Sequence, residues 1–315
     1  MIVERPERWG KLRYDTLQHK FSCVHTGEKN AIPYAHAPVV LNIDLTMKCN
    51  MDCLYCVAKD FSQTEDLVIS RKLLDWIHKS PFMVVVITGG EPLLPEYQNN
   101  LMTLLRETHD KGLVVDTNGS IFPSSSVVRS LLDTSTMVRV SWDTPQIYDE
   151  IRLRQVKLDK KPDEGVNKEN YYKKIDTIRR LLNSGVKVAV QTVVYKGNSL
   201  SVFDMPKALR QHSISRWYLQ RLVPSYKATS ESYQLTIGEY TEIAEKLVRK
   251  CQRMGIECIT KKDRRHNCVF LLVGGGILYT QGEEPRQKIR LGTIDDEIGY
   301  WDYVSSADHA VRYYG

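Results

Sequence analysis

Six short apolar segments alternate with helix-like segments through the middle of this 315-residue chain, and no other feature constrains the fold as strongly. Apolar runs such as Met83–Thr88 are rich in valine and isoleucine, as expected of strands that are covered on both faces. Strands separated by helices favour parallel pairing, and right-handed crossovers wind such units around one another. We therefore predict an α/β fold built on a partial (β/α)6 TIM-like barrel.

The boundaries of these segments follow from the spacing of their apolar residues. Each predicted helix keeps its apolar residues on one face. Two helices are followed by Gly112 and Gly185, which we expect to end them in the left-handed conformation. The predicted strands cover 39–45, 83–88, 113–117, 137–142, 187–195 and 216–222, and the predicted helices between them cover 70–79, 96–111, 124–132 and 171–183.

Shorter patterns at the two ends of the chain predict an arm and an extension. Residues 11–24 alternate apolar and polar side chains, which indicates a short N-terminal β-hairpin, and Pro33 and Pro38 mark the loop after it. We expect three regions. They are an N-terminal hairpin arm at 1–38, a barrel core at 39–222 and a small C-terminal α+β extension at 223–315.

The C-terminal extension contains one helix signal and one hairpin signal. Thr236 and Glu239 have the spacing of a capping box, which predicts the start of a helix over 236–254. Gly274–Gly276 lies between two apolar runs and predicts a hairpin over 268–280.

Charge and hydropathy argue against several classes of protein. The net charge of +6 is mild and its positive residues are scattered. Basic clusters at 157–161 and 261–265 are expected to be solvated loops, with a phosphate or nucleic-acid patch as the open alternative. A nucleic-acid partner is not expected. The longest apolar runs, such as Met83–Ile87, are far too short to span a bilayer, so no membrane partner is expected either.

The expected compartment follows from the first residues and from the cysteines. The chain begins with charged residues where a secretory signal would have an apolar run. Seven cysteines fit a reducing compartment, in which they act as ligands or as buried thiols. We therefore expect a cytoplasmic protein.

Three cysteines, Cys49, Cys53 and Cys56, follow the first barrel strand with a C-x3-C-x2-C spacing. Three thiolates on one loop can hold three irons of a [4Fe–4S] cube and leave the fourth iron open to a chelating small molecule. The Cys53 and Cys56 pair is also compatible with half of a zinc site or with a redox dithiol. A zinc site would need a further ligand nearby, and a dithiol leaves Cys49 unexplained, so a cluster is favoured.

Polar residues gather after the predicted strands. In a parallel barrel the loops that follow the strands converge on one face, where reactive groups are found. The cysteine loop, Gly89–Glu91, Thr117–Asn118 and Ser141–Asp143 all follow strand ends. We therefore expect these segments to lie around one site.

The alternation of side chains along two strands predicts which of them face the barrel interior. Val138 and Val140 point to one side of their strand, which should pack against helices. The opposite set is Arg139, Ser141 and Asp143. On the next strand Gln191 falls on the corresponding face. Ser141, Asp143 and Gln191 are therefore predicted to line the interior, although Ser141 and Asp143 could instead cap the helix that follows.

The cysteine loop, with Tyr55 before its third cysteine and Gly89-Gly90-Glu91-Pro92 downstream, resembles the signature of the radical S-adenosylmethionine (radical SAM) enzymes. The similarity covers about residues 39–222. The pattern from Ser141–Asp143 to Gly197-Asn198 is similar to the branch that contains molybdenum-cofactor biosynthesis protein A and the SPASM peptide maturases. This resemblance implies the same partial barrel as the strand pattern.

The resemblance also implies cofactors and site residues. It implies one [4Fe–4S] cluster ligated by Cys49, Cys53 and Cys56, S-adenosylmethionine bound to the open iron, and an external electron donor of the flavodoxin or ferredoxin type. The backbone of Gly89–Pro92 would bind the methionine amine, and Tyr55 would lie near the adenine. The residues predicted to bind the cofactor are Tyr55, Gly89, Gly90, Glu91, Pro92, Thr117, Asn118, Ser141, Asp143, Arg152 and Gln191.

The C-terminal cysteines depart from this branch of the family. A SPASM or Twitch extension carries cysteines for auxiliary clusters, whereas Gln281 follows the predicted hairpin here and no cysteine follows Cys268. We therefore expect one cluster only. Cys251 lies on the apolar stripe of its helix and is expected to be buried. Cys258 and Cys268 are weak candidates for hydrogen-atom donors, with buried packing favoured for both.

Three functions remain open at the level of the sequence. The first is a radical SAM enzyme that abstracts hydrogen from a C–H bond of a peptide, in a maturation or epimerisation reaction. The second is a radical SAM enzyme that acts on a small molecule such as a nucleotide or a sugar. The third, from another class, is a zinc-stabilised binding protein.

Overall fold

The computed structural model of the chain describes residues 1–7, 10–25, 37–51, 53, 55–56, 65–145, 164–222, 233–261, 269–281 and 288–296. Within these residues no helix has both the length and the apolar character needed to cross a bilayer. The strands are β1 (Ile2–Glu7), β2 (Gly10–Asp15), β3 (Lys20–His25), β4 (Val40–Thr46), β5 (Val84–Gly89), β6 (Gly112–Thr117), β7 (Met137–Ser141), β8 (Lys187–Val194), β9 (Arg216–Arg221), β10 (Glu257–Lys261), β11 (Val269–Val273), β12 (Ile277–Gln281) and β13 (Lys288–Thr293). The helices are α1 (Arg71–Lys79), α2 (Gln98–Glu107), α3 (Ser125–Asp133), α4 (Glu164–Asn183), α5 (Met205–Gln211) and α6 (Ile237–Arg253).

A ten-stranded sheet contains all the predicted barrel strands, in the order β10-β9-β8-β7-β6-β5-β4-β11-β12-β13. Neighbouring strands from β10 to β4 pair in parallel, and β11 continues the parallel run beyond β4. Strands β12 and β13 pair antiparallel at the end of the sheet. The predicted parallel barrel fold is confirmed. The structure extends the six predicted parallel strands by β10, which was not predicted, and by β11, which belongs to the predicted C-terminal hairpin.

The predicted C-terminal hairpin forms from β11 and β12. Gly275 and Gly276, in the turn between these strands, have φ angles of 72° and 68°, a region that favours glycine. Strand β11 pairs directly with β4, with Leu271 level with Asn42. A Cβ on Gly274 would lie 1.4 Å from the carbonyl oxygen of Glu65. The extension therefore packs against the strand that leads into the cysteine loop.

The helix side of the sheet buries the larger hydrophobic core. Val138 and Val140 pack there with Leu73 of α1, Leu101 of α2 and Ile178 of α4. This arrangement agrees with the alternation along β7 and leaves Arg139 and Ser141 on the opposite, interior side. Because the strands are covered on both faces, their apolar runs are nearly continuous.

The N-terminal strands form a separate three-stranded antiparallel sheet in the order β1-β2-β3. The predicted hairpin is β2 and β3, and β1 is an addition. Leu12 and Tyr14 of β2 pack with Val84, Val114 and Ala189 on the interior side of the barrel, and we call these five residues the floor cluster. The small sheet therefore covers the interior near the first residues of the barrel strands.

The prediction for the end of α2 and for Gly112 was wrong. Helix α2 ends at Glu107, several residues before the predicted end, and Gly112 begins strand β6. Gly112 is not in the left-handed region. A Cβ there would lie 2.0 Å from Cε1 of Tyr14, so the glycine makes room for an aromatic ring of the floor cluster. Gly185, in contrast, has the predicted positive φ of 82°.

Candidate active site

The cysteine loop begins directly after β4, and its backbone runs against the end of β5. The N–H of Gly90 donates to Thr46 O at 2.6 Å, and the N–H of Glu91 donates to Lys48 O at 2.8 Å. A Cβ on Gly90 would lie 1.9 Å from Lys48 O, and Gly89 has a φ of 115°. The glycine pair is therefore required by the close approach of the two backbone segments.

Glu91 is fully buried and joins the end of β5 to the end of β6. Its Oε1 accepts hydrogen bonds from the Thr117 hydroxyl at 2.8 Å and from the Leu93 N–H at 3.0 Å, and its Oε2 accepts one from the Asn118 N–H at 2.8 Å. Burial raises the pKa of Glu91 to about 7, against the effect of these hydrogen bonds. Its described contacts hold the turn, and buried Pro92 follows directly.

Asn118 connects the end of β6 to the first cysteine. Its side-chain Nδ2 donates to Cys49 Sγ at 3.7 Å and to Asn50 Oδ1 at 2.9 Å. Its Oδ1 accepts from the N–H and the hydroxyl of Ser120 at 2.8 and 2.6 Å. Asn50 Nδ2 in turn donates to the Ser120 hydroxyl at 2.8 Å. We call Asn50, Asn118 and Ser120 the amide network.

The three cysteines lie on one loop at the carboxyl edge of the sheet. Cys49 is exposed, Cys53 is buried and Cys56 is half-buried. The pKa of the Cys49 thiol is raised, first by desolvation of its sulfur and then by the charges of Glu91 and Cys56, while a hydrogen bond from the Met51 N–H opposes this shift. Negative charges that accumulate around a thiol favour its binding to a cation.

The donor set fits an iron–sulfur cluster in its chemistry. Cys49, Cys53 and Cys56 offer three thiolates, and two N–H groups, from Met51 and Asn118, point at the first sulfur. Among the described residues, no three His, Cys, Asp or Glu side chains converge as a bound metal ion would require. The assignment of these cysteines as ligands therefore stays a prediction, supported by their residue type and place.

Asp66 secures the start of the cysteine loop, and no pattern in the sequence singles this residue out. Its Oδ1 accepts from the Thr46 hydroxyl at 2.7 Å and its Oδ2 from the Tyr97 hydroxyl at 2.6 Å. Lys48 Nζ lies 3.8 Å from the same carboxylate. Burial raises the pKa of Asp66, but the hydrogen bonds from Tyr97 and Thr46 outweigh it, so the net pKa is lowered. Asp66 thus stays ionised and anchors the loop.

Tyr55 and Asp143 meet between the cysteine loop and the end of β7. The Tyr55 hydroxyl donates to Asp143 Oδ2, and Asp143 Oδ1 accepts from the Val193 N–H at 2.8 Å. Asp143 is fully buried, and the Tyr55 ring lies 6.2 Å from the ring of Tyr195. The two residues were predicted separately, and the structure brings them into contact.

On the interior side of the sheet, polar residues lie nearer the carboxyl ends of the strands than the floor cluster does. Ser141 and Gln191 are level with each other on β7 and β8. Below them, Arg139 donates from Nε and Nη2 to both carboxylate oxygens of Asp116, at 2.6 and 2.7 Å. Its guanidinium carbon lies 5.3 Å from the centre of the Tyr218 ring. The alternation along β7 that predicts an interior position for Ser141 predicts the same position for Arg139. The interior position of Arg139 is therefore predictable from the sequence.

Comparison with known proteins identifies the family. A model described as the Radical SAM superfamily matches residues 43–205, just over half of the chain. The chain belongs to the radical SAM superfamily. This confirms the resemblance drawn from the cysteine loop and the Gly89–Pro92 segment. Members of the superfamily are enzymes that use a [4Fe–4S] cluster and S-adenosylmethionine, so the enzyme class and both predicted cofactors are confirmed at the level of the family.

Individual radical SAM relatives differ in what their names describe. An AdoMet-dependent heme synthase of Nitratidesulfovibrio vulgaris is 24% identical over 234 residues, covering 68% of this chain and 59% of that protein. A probable GTP 3′,8-cyclase of Methanocaldococcus jannaschii is 29% identical over 118 residues, covering 35% of this chain and 39% of that protein. This chain therefore spans less than two thirds of the length of these curated relatives.

A solved structure has the same fold over nearly the whole chain. Streptococcus suis SuiB bound to the precursor peptide SuiA superposes with a TM-score of 0.67, covering 98% of this chain and 88% of that one, at 11% identity. At this identity the similarity establishes the fold alone.

The remaining predicted residues of this radical SAM chain lie away from the cysteine loop or outside the described residues. Cys258 of β10 packs on the helix side of the sheet, beside Cys251 of α6. Its contact with the Cys251 thiol and its burial raise the pKa of Cys258. Arg152, Cys268, the basic cluster at 157–161 and most of the cluster at 261–265 lie outside the described residues.

Proposed function

We propose that this chain is a radical SAM enzyme that removes a hydrogen atom from a C–H bond of a peptide. The observation that supports the radical SAM part of this proposal is the contact between the cysteine loop and the glycine turn. Two backbone hydrogen bonds, Gly90 N–H to Thr46 O and Glu91 N–H to Lys48 O, hold together the two segments that the family uses for its cofactors. The fold and the motif thus support the same site.

When bound, the cluster and S-adenosylmethionine supply a one-electron cleavage that yields methionine and a 5′-deoxyadenosyl radical. We propose that Cys49, Cys53 and Cys56 hold the cluster. Glu91 keeps the glycine turn in place through its three hydrogen bonds, and Asp143 keeps Tyr55 against the end of β7. The residues proposed to contact S-adenosylmethionine are Tyr55, Gly89, Gly90, Glu91, Pro92, Thr117, Asn118, Ser141, Asp143, Arg152 and Gln191.

The charges of the barrel interior support a peptide over a polyphosphate. Asp116 compensates the charge of Arg139, and Asp44 adds a second buried carboxylate on the interior side of β4. Lys187 and Arg216 begin their strands, so they lie nearer the amino end of the sheet. Lys187 Nζ donates to Thr16 O in the turn between β2 and β3, and Arg216 pairs with Glu257. Among these described side chains, the positive charges are therefore matched by carboxylates, and no excess of positive charge is present to attract phosphates.

Arg139 also offers a donor that suits a peptide. The residue is 9% exposed, and its Nη1 makes no hydrogen bond within the part of the chain that the structure describes. A guanidinium nitrogen that Asp116 does not use can donate to a carbonyl or carboxylate oxygen of a ligand. Peptide backbones carry such acceptors at every residue.

The second candidate is a small-molecule radical SAM enzyme. It is favoured by the names of the heme synthase and the GTP 3′,8-cyclase, whereas the peptide is favoured by the similarity to SuiB bound to its precursor peptide. For either substrate we propose that the electron comes from a protein of the flavodoxin or ferredoxin type.

Anaerobic reconstitution with iron and sulfide tests the radical SAM proposal. With S-adenosylmethionine and dithionite we expect 5′-deoxyadenosine, measured by mass spectrometry, and we expect none from Cys53→Ala. Cys23→Ala, which changes a thiol of β3, is the matched control and should keep the product. A colourless protein that binds one zinc and no iron would contradict the enzyme proposal and favour a zinc-stabilised binding protein.

The substrate class is tested by transfer of deuterium. The reconstituted protein is incubated with a digest of perdeuterated cell protein or, separately, with perdeuterated nucleotides and sugars. Deuterium in 5′-deoxyadenosine from the peptide pool alone would support the proposal. Deuterium from the nucleotide and sugar pool alone would favour the second candidate.

A further inference from the structure

We propose that Asn118 sets the reduction potential of the iron–sulfur cluster by donating a hydrogen bond to the sulfur of Cys49. This inference rests on the proposed function, because it requires Cys49 to be a cluster ligand. It assigns to one amide side chain a role in the ease of electron uptake, separate from any contact with S-adenosylmethionine.

The amide network fixes the direction of the Asn118 side chain. Its Oδ1 accepts two hydrogen bonds from Ser120, at 2.8 Å from the N–H and 2.6 Å from the hydroxyl. Because an N–H or O–H donor can only face the amide oxygen, Nδ2 must face the other way. On that side lie Asn50 Oδ1 at 2.9 Å and Cys49 Sγ at 3.7 Å.

A backbone hydrogen bond also fixes the position of Asn118. The Asn118 N–H donates to Glu91 Oε2 at 2.8 Å, and Glu91 is fully buried. Asn118 itself is 8% exposed, and Asn50 Nδ2 closes the amide network by donating to Ser120. An amide that is held at both ends keeps its donor at the sulfur with little loss of conformational freedom.

A hydrogen bond to a cluster sulfur changes the energy of electron uptake. Reduction adds one electron and therefore increases the negative charge shared by the cysteine sulfurs. An N–H dipole aimed at a sulfur stabilises the more negative, reduced form more strongly than the oxidised form. Removal of the Asn118 donor should therefore make the midpoint potential more negative.

The experiment compares Asn118→Ala and Asn118→Asp with the wild type. Each protein is reconstituted anaerobically with iron and sulfide, titrated with dithionite as the one-electron donor, and followed by the electron paramagnetic resonance signal of the reduced cluster. We expect the midpoint potential to fall from wild type to Asn118→Ala, because a donor is lost. We expect it to fall further in Asn118→Asp, because a carboxylate adds negative charge near the sulfur.

The control is Asn99→Ala, which changes an exposed asparagine of α2 and should leave the potential unchanged. If Asn118 only stabilised the loop, its variants would bind less iron, but the loaded fraction would keep the wild-type potential, and this result would overturn the inference. A wild-type protein that binds no cluster would instead overturn the proposed function. The two failures are therefore distinguishable.

Discussion

The amino and carboxyl ends of the barrel strands differ in the polarity of their buried residues. At the amino end, the floor cluster of Leu12, Tyr14, Val84, Val114 and Ala189 is apolar and joins the small N-terminal sheet to the large one. At the carboxyl end, buried Glu91 and the amide network make hydrogen bonds to the turns and to Cys49. The comparison indicates that one end of this sheet supplies stability while the other positions the reactive groups.

The largest effect should come from Gly90→Ala at the carboxyl end. A Cβ there would lie 1.9 Å from Lys48 O, so the cysteine loop must move away from the glycine turn. We expect bound iron after reconstitution to fall about tenfold or more, as for loss of other supports of metal ligands. Iron content and 5′-deoxyadenosine formation measure this. Gly238→Ala, at a position in α6 with open space around it, is the control.

Leu12→Ala tests the amino end and should have a contrasting effect. Leu12 is fully buried in the floor cluster, so truncation leaves a cavity and should lower the free energy of unfolding by about 2–5 kcal/mol. Urea titration of the protein measures this loss. Iron bound per folded molecule should stay at the wild-type level. A large loss of iron in a folded Leu12→Ala protein would contradict the separation of the two ends.

A smaller effect should appear as a dependence of stability on pH at the carboxyl end. Burial raises the pKa of Glu91 from 4.5 to about 7, so the folded chain binds a proton that the unfolded chain releases between these values. The contribution of Glu91 is therefore fully present below about pH 4.5 and is lost as pH rises through about 7, by up to about 3 kcal/mol. Urea titrations at pH 5 and 7 measure this change.

Glu91→Gln should remove that part of the pH dependence, because an amide does not titrate. Glu96→Gln, which changes an exposed carboxyl next to helix α2, is the matched control and should keep the wild-type dependence. If the wild type and Glu91→Gln gave the same difference between pH 5 and 7, the linkage to Glu91 would be wrong.

The sequence predicted the fold well wherever a strand is buried on both faces. Each of the strands β4 to β9 contains a run of large apolar residues, and each lies within two residues of its predicted bounds. Strand β10 has the sequence Glu-Cys-Ile-Thr-Lys, which lacks such a run, and β1 contains Pro6, so neither was found. The end of α2 was missed because the reason for Gly112 is the ring of Tyr14, which is distant in sequence.

The candidate site was predicted as a set of segments, but its contacts were not. The predicted strand ends placed Gly89–Glu91, Asn118 and Asp143 together at the carboxyl end of the barrel strands. The hydrogen bond from Tyr55 to Asp143 joins residues 88 positions apart, and that from Asn118 to Cys49 joins residues 69 positions apart. A single sequence carries no pairing information over such distances, so only the folded chain shows which partners meet.

The pairing of β11 with β4 has a consequence for any attempt to shorten the protein. A fragment that stopped after β10 would leave the hydrogen-bonding groups along one side of β4 without neighbours, and open strands of this kind recruit strands from other molecules. The same cut would take away Gly274, which lies against Glu65. We therefore expect a fragment limited to residues 43–205 to aggregate. A shortened protein that stays monomeric must retain the hairpin of β11 and β12.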